Sequence, residues 1–297
     1  MQILNSAAPY NLFGLEDQSY EKAKFVVLPV PYDSTVSYGS GSRDGPDAII
    51  RASRHMELYS EELGFSPADA GVYTLEQLEP DVSGPEAMVK RIAKEVSIII
   101  DDGKIPLLLG GEHTIAIGAV KATADSNNNF SVLHFDAHSD SREEFMGSRY
   151  SHACIMARIR EMCKSTYSVG VRSIDEQGYS KYSKDILYMK DMRTMSDEAI
   201  VNSISKHIKE NVYITIDLDV LDPSEMPSVG TPEPGGMRYT SLINILSGVL
   251  KGRKLIGADI SELAPIPGIR APDYLAAKLA YALVGMAVIG TRKKVQK

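Results

Sequence analysis

The sequence predicts an α/β fold: a mostly parallel sheet covered by helices on both faces. Two observations predict it. Short apolar runs recur along the chain, at FVVLPV (25–30), IPLLL (105–109), FSVLHFD (130–136), YSVGV (167–171), ILYM (186–189), VYITIDLDV (212–220) and LIGADI (255–260). Several are continuous rather than alternating, as strands buried on both faces require. Between them lie longer stretches with apolar residues near helical spacing, and strand–helix alternation is the pattern of a parallel sheet.

The helices have end signals. Gly84-Pro85 opens PEAMVKRIAKEVSIII, with Pro where a helix has no use for its N–H, and Asp101-Asp102-Gly103 closes it. Ser196 or Asp197 can cap DEAIVNSISKHIKE, which closes near Asn211. Pro272 opens the last helix. The most apolar stretch, 274–290, carries Lys278, and its uninterrupted run is shorter than the roughly 20 residues a membrane span needs. It reads as a buried helix. The Pro/Gly clusters VGTPEPGGM (229–237) and LAPIPG (263–268) each follow an expected strand and read as functional loops.

The 297 residues are expected to form a single domain, 1–297, with 1–22 as an N-terminal extension. With 43% apolar and 24% charged residues, the composition is that of a globular chain. A net charge of −7 excludes a broadly basic nucleic-acid binder and favours a cationic partner. Two cysteines, Cys154 and Cys163, exclude a disulfide scaffold and suit a reducing compartment, so a cytoplasmic setting is expected. The start MQILNSAAPY lacks a signal-peptide pattern, and TRKKVQK at the end lacks a lipidation signal; no membrane partner is expected.

Chemistry concentrates in three places. In LHFDAHSD, Asp136, His138 and Asp140 stand two apart, so a strand end and its extension can project all three one way. Alone, the triplet fits metal ligands or a hydrogen-bonded polar strand end equally. VYITIDLDVLD repeats the spacing with Asp217 and Asp219 inside an apolar stretch, where like charges repel unless a cation joins them. Asp222, before Pro223, reads as a turn residue. GGEHT sets His113 at a strand's C-terminal end, where open α/β sheets bind ligands. Four Asp and two His match the charge of two divalent cations. Carboxylate-rich, thiolate-free ligation points to Mn²⁺. Two metals about 3.5–4 Å apart can activate a water for hydrolysis. His134 shares the ligands' strand parity but lies deeper, as a core or supporting residue. His55 and His207 read as surface residues, and the two cysteines as small core residues.

Together these segments resemble the ureohydrolase family of arginases, agmatinases and their relatives. The resemblance is carried by GGEHT (110–114), DAHSD (136–140), ITIDLDVLDP (214–223), GTPEPGG (230–236), DISELAP (259–265) and the early VPYDSTVSYGSGSRDGPDAIIRAS (30–53). It implies a three-layer αβα sandwich around an eight-stranded parallel sheet, and a homo-oligomer, trimer or hexamer. It implies two Mn²⁺ ions, one held by His113, Asp136, Asp140 and Asp217, the other by Asp136, His138, Asp217 and Asp219. A metal-bridging hydroxide would attack a guanidinium carbon, releasing urea and an amine. By the same resemblance Glu262 would pair with the guanidinium, His152 would deliver a proton to the leaving amine, and Asp175 would contact the far end of the substrate.

The substrate is expected to be a small cationic guanidine. Arginases hold a carboxylate with an Asn two residues after DAHxD; here that position is Arg142, in a loop that carries Glu143 and Glu144. The acidic loop suits a dication, and YSHAC and GTPEPGGM look more like agmatinases. Agmatine is therefore expected, with putrescine and urea as products. Arginine or guanidinobutyrate, held by Arg142 or Arg149, remains the alternative within the family. An inactive metal-binding scaffold is the alternative outside it.

Overall fold

The computed structural model describes residues 7–290; the expectations on 1–6 and on TRKKVQK lie outside the described residues. Eight strands run β1 Phe25–Val30, β2 Val72–Thr74, β3 Ile105–Gly110, β4 Ser131–Phe135, β5 Thr166–Val171, β6 Ile186–Tyr188, β7 Asn211–Asp217 and β8 Lys254–Ser261. They form one sheet in the order β2-β1-β3-β8-β7-β4-β5-β6, and every pairing is parallel. Among the described residues nine α-helices accompany them: α1 Gly45–Ser53, α2 Pro85–Asp101, α3 Ile115–Ser126, α4 Ile155–Met162, α5 Glu176–Tyr182, α6 Met189–Met192, α7 Asp197–Ser205, α8 Tyr239–Leu250 and α9 Ala271–Gly290.

Alternation along the strands splits the interior into two cores. Val26, Leu28 and Val30 of β1 join Ile92 of α2, Val120 of α3 and Ile159 of α4 on one face. Phe25 and Val27 join Ile49 of α1, Ile204 of α7, Leu246 of α8 and Leu283 of α9 on the other. This is the three-layer sandwich expected. Helix α9 has the length and composition of a membrane span, but Ala276, Leu279, Ala280, Leu283 and Val284 are buried in that second core. Burial of this kind, worth roughly 25 cal/mol per Å² of apolar surface, accounts for its hydropathy. Within 7–22, Leu12 and Phe13 are buried. The Phe13 N–H donates to Ser53 Oγ at 2.8 Å, and its ring meets Tyr281 edge-on.

Three boundaries differ from the sequence reading. Strand β2 carries only three residues at the sheet edge and has no apolar run to signal it. Helix α7 begins as expected, with Ser196 Oγ accepting the Ala199 N–H, but stops at Ser205. The chain beyond it is drawn toward the sheet: the exposed His207 stacks on Tyr167 at 4.2 Å, and the Lys209 N–H donates to Ser131 Oγ. The stretch 212–220 is not one strand. Strand β7 ends at Asp217, and Leu218–Val220 is a turn of 3-10 helix.

The central four strands end together. Leu109, Ile260, Ile216 and Phe135 are paired across β3, β8, β7 and β4. The residues that follow these four positions build the site.

Candidate metal centre and active site

Strand β4 delivers Asp136 at its end. The backbone stays extended beyond it: His138 bridges Ser173, and the Ala137 N–H donates to Asp219 Oδ1 at 3.0 Å. At Asp140 the chain turns sharply, with φ at +46°, a conformation Asp tolerates better than most side chains. Its carbonyl accepts the Met156 N–H at the start of α4. So the triplet comes together by an extended run and a turn, not by strand alternation alone.

Asp217 and Asp219 meet by another route. Asp217 Oδ1 accepts the Asp219 N–H at 2.8 Å, and this side-chain cap folds 218–220 into the 3-10 turn. The expected alternation is thereby replaced by a turn that brings both carboxylates to the same place.

His113 arrives from β3 through the two glycines. A Cβ on Gly111 would stand 2.1 Å from the Tyr32 carbonyl oxygen, so only glycine lets these backbones meet. The imidazole is fully buried. Its Nδ1 faces Asp136 Oδ2 at 3.3 Å, Asp217 Oδ2 at 3.5 Å and Asp140 Oδ2 at 3.6 Å, yet has no hydrogen-bond partner. Its Nε2 lies 2.7 Å from Thr215 Oγ1, whose hydroxyl donates to Asp259 Oδ1 at 2.8 Å. Thr215 therefore accepts from Nε2–H, and in the neutral ring, the form that binds a metal, the Nδ1 lone pair is aimed among three carboxylates; against burial, those carboxylates raise the metal-free imidazole well above its usual pKa. A buried acceptor ringed by anions is costly unless a cation sits there, and an orienting partner on the far nitrogen is how ligating histidines are held. The residues fit a divalent cation.

A second cluster adjoins it. His138 Nδ1 lies 2.8 Å from Asp219 Oδ2 and 3.5 Å from Asp136 Oδ1. Asp136 belongs to both clusters. His134 also approaches Asp136, with Nε2 at 2.8 Å from Oδ2, but its Nδ1 is engaged by Ser168 Oγ at 3.0 Å. With both ring nitrogens used, it supports Asp136 from inside the sheet.

The metal-free electrostatics have the signs such crowding dictates. Burial, then the charge of Asp136, pushes the Asp140 carboxyl up to about 7. Burial, then Asp219 and Asp136, drives Asp217 well above the carboxylate range. Burial, then Glu112, lifts Glu262 to about 8. Burial opposes the charge on His138, but Asp219 and Asp136 raise it to about 12. Acids with raised folded-state values bind more protons folded than unfolded, so stability falls as pH rises. The protein stripped of metal with a chelator is expected to lose thermal stability steadily from pH 5 to pH 8. Restoring divalent metal, which selects the deprotonated carboxylates, should flatten or invert that slope. Melting curves across this range, with and without metal, check it; an apo protein most stable at pH 8 would contradict the assignment of these charges.

Glu262 follows β8 with φ at +68°, a strained setting for a non-glycine residue and one typical of functional positions. Two bonds hold it: its N–H donates to the Gly111 carbonyl at 2.8 Å, and Oε1 accepts the His113 N–H at 2.6 Å. It opens onto a cavity of about 220 Å³ shared with His113, His138, Asp140, Asp217 and the half-buried His152. A model of the arginase family matches residues 23–285. The chain belongs to the arginase family. It is 37% identical to an N(1)-aminopropylagmatine ureohydrolase of Synechocystis over 285 residues, 93% of each chain. It is 33% identical to an agmatinase of Pyrococcus horikoshii, over 89% of this chain and 92% of that one. The structure of agmatine ureohydrolase from Thermoplasma volcanium superposes with a TM-score of 0.86 at 30% identity, covering 96% of both chains.

Around the centre of this arginase-family chain, other side chains fall less simply. Asp175 does not line the main cavity. Its Oδ1 caps α5 by accepting the Gly178 N–H at 3.0 Å, and it borders two adjoining hollows of about 170 and 460 Å³. Glu143 is not a free acid for a substrate ammonium, because Arg158 and Lys181 hold its two oxygens at 2.7 and 2.8 Å. Arg149 pairs with Glu161. Arg142 lines the cavity and lies over the Phe145 ring at 5.4 Å.

Sequence reasoning missed four functional neighbours. Asp259, an acid inside the apolar LIGADI run, was a visible signal. It anchors Thr215 and accepts the Tyr213 hydroxyl at 2.8 Å. Glu112, inside GGEHT, is fully buried. Burial pushes its carboxyl up to about 7 against the bonds it accepts from Thr35 and Thr114. Thr35 and Thr215 carried no signal of their own.

Proposed function

We propose that the chain hydrolyses the guanidinium C–N bond of agmatine to urea and putrescine, with two Mn²⁺ ions as cofactors. The observation that carries this reading is Glu262, a buried carboxylate at the wall of a cavity that also opens on the carboxylate and imidazole cluster. One ion would be held by His113, Asp136, Asp140 and Asp217, and the other by Asp136, His138, Asp217 and Asp219. When bound, the ions supply the Lewis acidity that turns a water into a nucleophile near neutral pH.

The remaining steps belong to side chains. Glu262 accepts parallel hydrogen bonds from the planar guanidinium and fixes its carbon for attack. Net, one water is consumed: its oxygen joins the guanidinium carbon, the C–N bond to the alkyl amine breaks, and the leaving nitrogen takes a proton. His152 supplies that proton. Burial lowers its pKa, which keeps the ring neutral between turnovers and ready to exchange a proton. Of the described acids that line the cavity, Glu262 alone lies outside the proposed ligand set, and its charge suits the guanidinium of the substrate.

N(1)-aminopropylagmatine is the second reading. Several relatives at 33–37% identity carry that activity in their names. The hollow beside His138 and Asp140 leads past Arg142 to Asp175, Glu176 and Glu144, which suits a longer chain ending in an ammonium. Asp175 would then meet the substrate's far end. Urea release by Mn²⁺-loaded protein, compared for agmatine, N(1)-aminopropylagmatine and arginine, tests the proposal. A kcat/KM at least tenfold higher for agmatine is expected. A preference for the longer amine selects the second reading. Turnover of arginine alone would overturn both and assign Arg142 to a substrate carboxylate.

A further inference from the structure

His152 is held by a loop far away in sequence. Thr35 Oγ1 accepts the His152 backbone N–H at 3.0 Å and lies 3.3 Å from the ring Nδ1. Thr35 is itself gripped by Glu112, whose Oε2 accepts the Thr35 N–H at 2.6 Å and whose Oε1 accepts the Thr35 hydroxyl at 2.9 Å. The other ring nitrogen, Nε2, stands 3.2 Å from Ser37 Oγ, and Ser37 and His152 both line the cavity.

The donor inventory sets the ring's tautomer. Thr35 has one hydroxyl hydrogen, and with Glu112 ionised it goes to that carboxylate. Towards His152, Thr35 Oγ1 is then only an acceptor. Nδ1 can meet it only as N–H. A neutral imidazole with Nδ1–H has a bare Nε2, here on the cavity side. Ser151 Oγ lies near Nδ1 at a longer 3.4 Å, and Phe145 meets the ring edge-on at 5.9 Å, which limits its rotation.

We infer that Glu112 and Thr35 are positioning residues that fix His152 in the Nδ1–H tautomer, so that protons pass to and from the substrate through Nε2 alone. The inference rests on the reading of His152 as the proton donor. The carboxylate–hydroxyl–imidazole chain does for this histidine what a buried aspartate does in a hydrolytic triad: it selects one nitrogen for chemistry. Its cycle balances, because Nε2 gains one proton from the attacking water and gives one to the leaving amine.

Two experiments test it. In the protein loaded with diamagnetic Zn²⁺ and labelled with ¹⁵N-histidine, the His152 signals, assigned by their loss in His152→Asn, should show a protonated Nδ1 and a bare Nε2. The opposite tautomer overturns the inference whatever the variants do. In the Mn²⁺ enzyme, Thr35→Val should lower kcat about tenfold or more, at the lower edge of what general acid catalysis contributes. KM should stay within twofold, and two metals per chain should remain bound. Thr35→Ser, which keeps the hydroxyl, should recover most of the loss. Placed in His152→Asn, Thr35→Val should cost almost nothing further. An equal loss in both backgrounds would make Thr35 a structural residue and overturn the relay. Wild-type turnover by His152→Asn would instead remove the proton-donor reading on which the relay depends. A Thr35→Val protein that fails to fold leaves the decision to the tautomer measurement on the unsubstituted chain.

Discussion

Glu262→Gln is expected to keep both metals and lose about two to three orders of magnitude in kcat/KM. The amide keeps the shape of the carboxylate, and its oxygen can still accept the His113 N–H that Oε1 takes at 2.6 Å. The left-handed backbone at φ +68° is held by the bond to Gly111, which the substitution leaves alone. What disappears is the negative charge that a guanidinium must meet. A charge-assisted bidentate pair in a buried site is worth several times a neutral hydrogen bond, about 3–4 kcal/mol here, and each 1.4 kcal/mol is tenfold in rate. Metal content by elemental analysis and steady-state urea release separate the outcomes. Normal turnover would send the guanidinium clamp elsewhere; lost metal would make Glu262 part of the metal support.

Asp140→Asn should act through the metals. Asparagine accepts the φ of +46° at this position, so the start of α4, which bonds the residue's carbonyl, should persist. The amide removes one of the three carboxylates around His113 Nδ1. Bound metal is expected to fall from two ions per chain toward one, with kcat down at least a hundredfold. Excess Mn²⁺ should restore part of it, because Asp136 and Asp217 still face the imidazole. Full activity with two tightly bound ions would remove Asp140 from the ligand set.

Much of the fold and of the candidate site is legible in the sequence. The continuous apolar runs marked seven of the eight strands because a strand covered on both faces has no polar side to show. The six clustered Asp and His residues stood out because charge inside apolar segments needs an explanation. What stayed hidden depends on contacts between distant segments. Whether 218–220 continues β7 depends on the Asp217 carboxylate turning back to the Asp219 N–H, and a two-residue spacing fits a strand or a turn equally. Glu143 looked available for a substrate until Arg158 and Lys181 reached it from α4 and α5. Thr35 is an ordinary loop residue until Glu112, 77 positions on, takes its hydroxyl. Strand β2 has too few residues to carry a pattern, and its place is set by pairing with β1.

Strand β8 lies at the middle of the sheet yet is the last strand among the described residues. During synthesis, β2-β1-β3 and β7-β4-β5-β6 can pair before it emerges, each leaving one inner edge open. Those edges, with apolar faces beside them, are templates for wrong pairing until residues 254–261 slot between β3 and β7. Only then do Glu262 and His113, 149 positions apart, come within bonding distance. Assembly of the candidate site is thus a late, non-local event, slow by the measure of its sequence separation. Nascent chains truncated before β8 should be the aggregation-prone species in a cell, and the ones a chaperone must shelter.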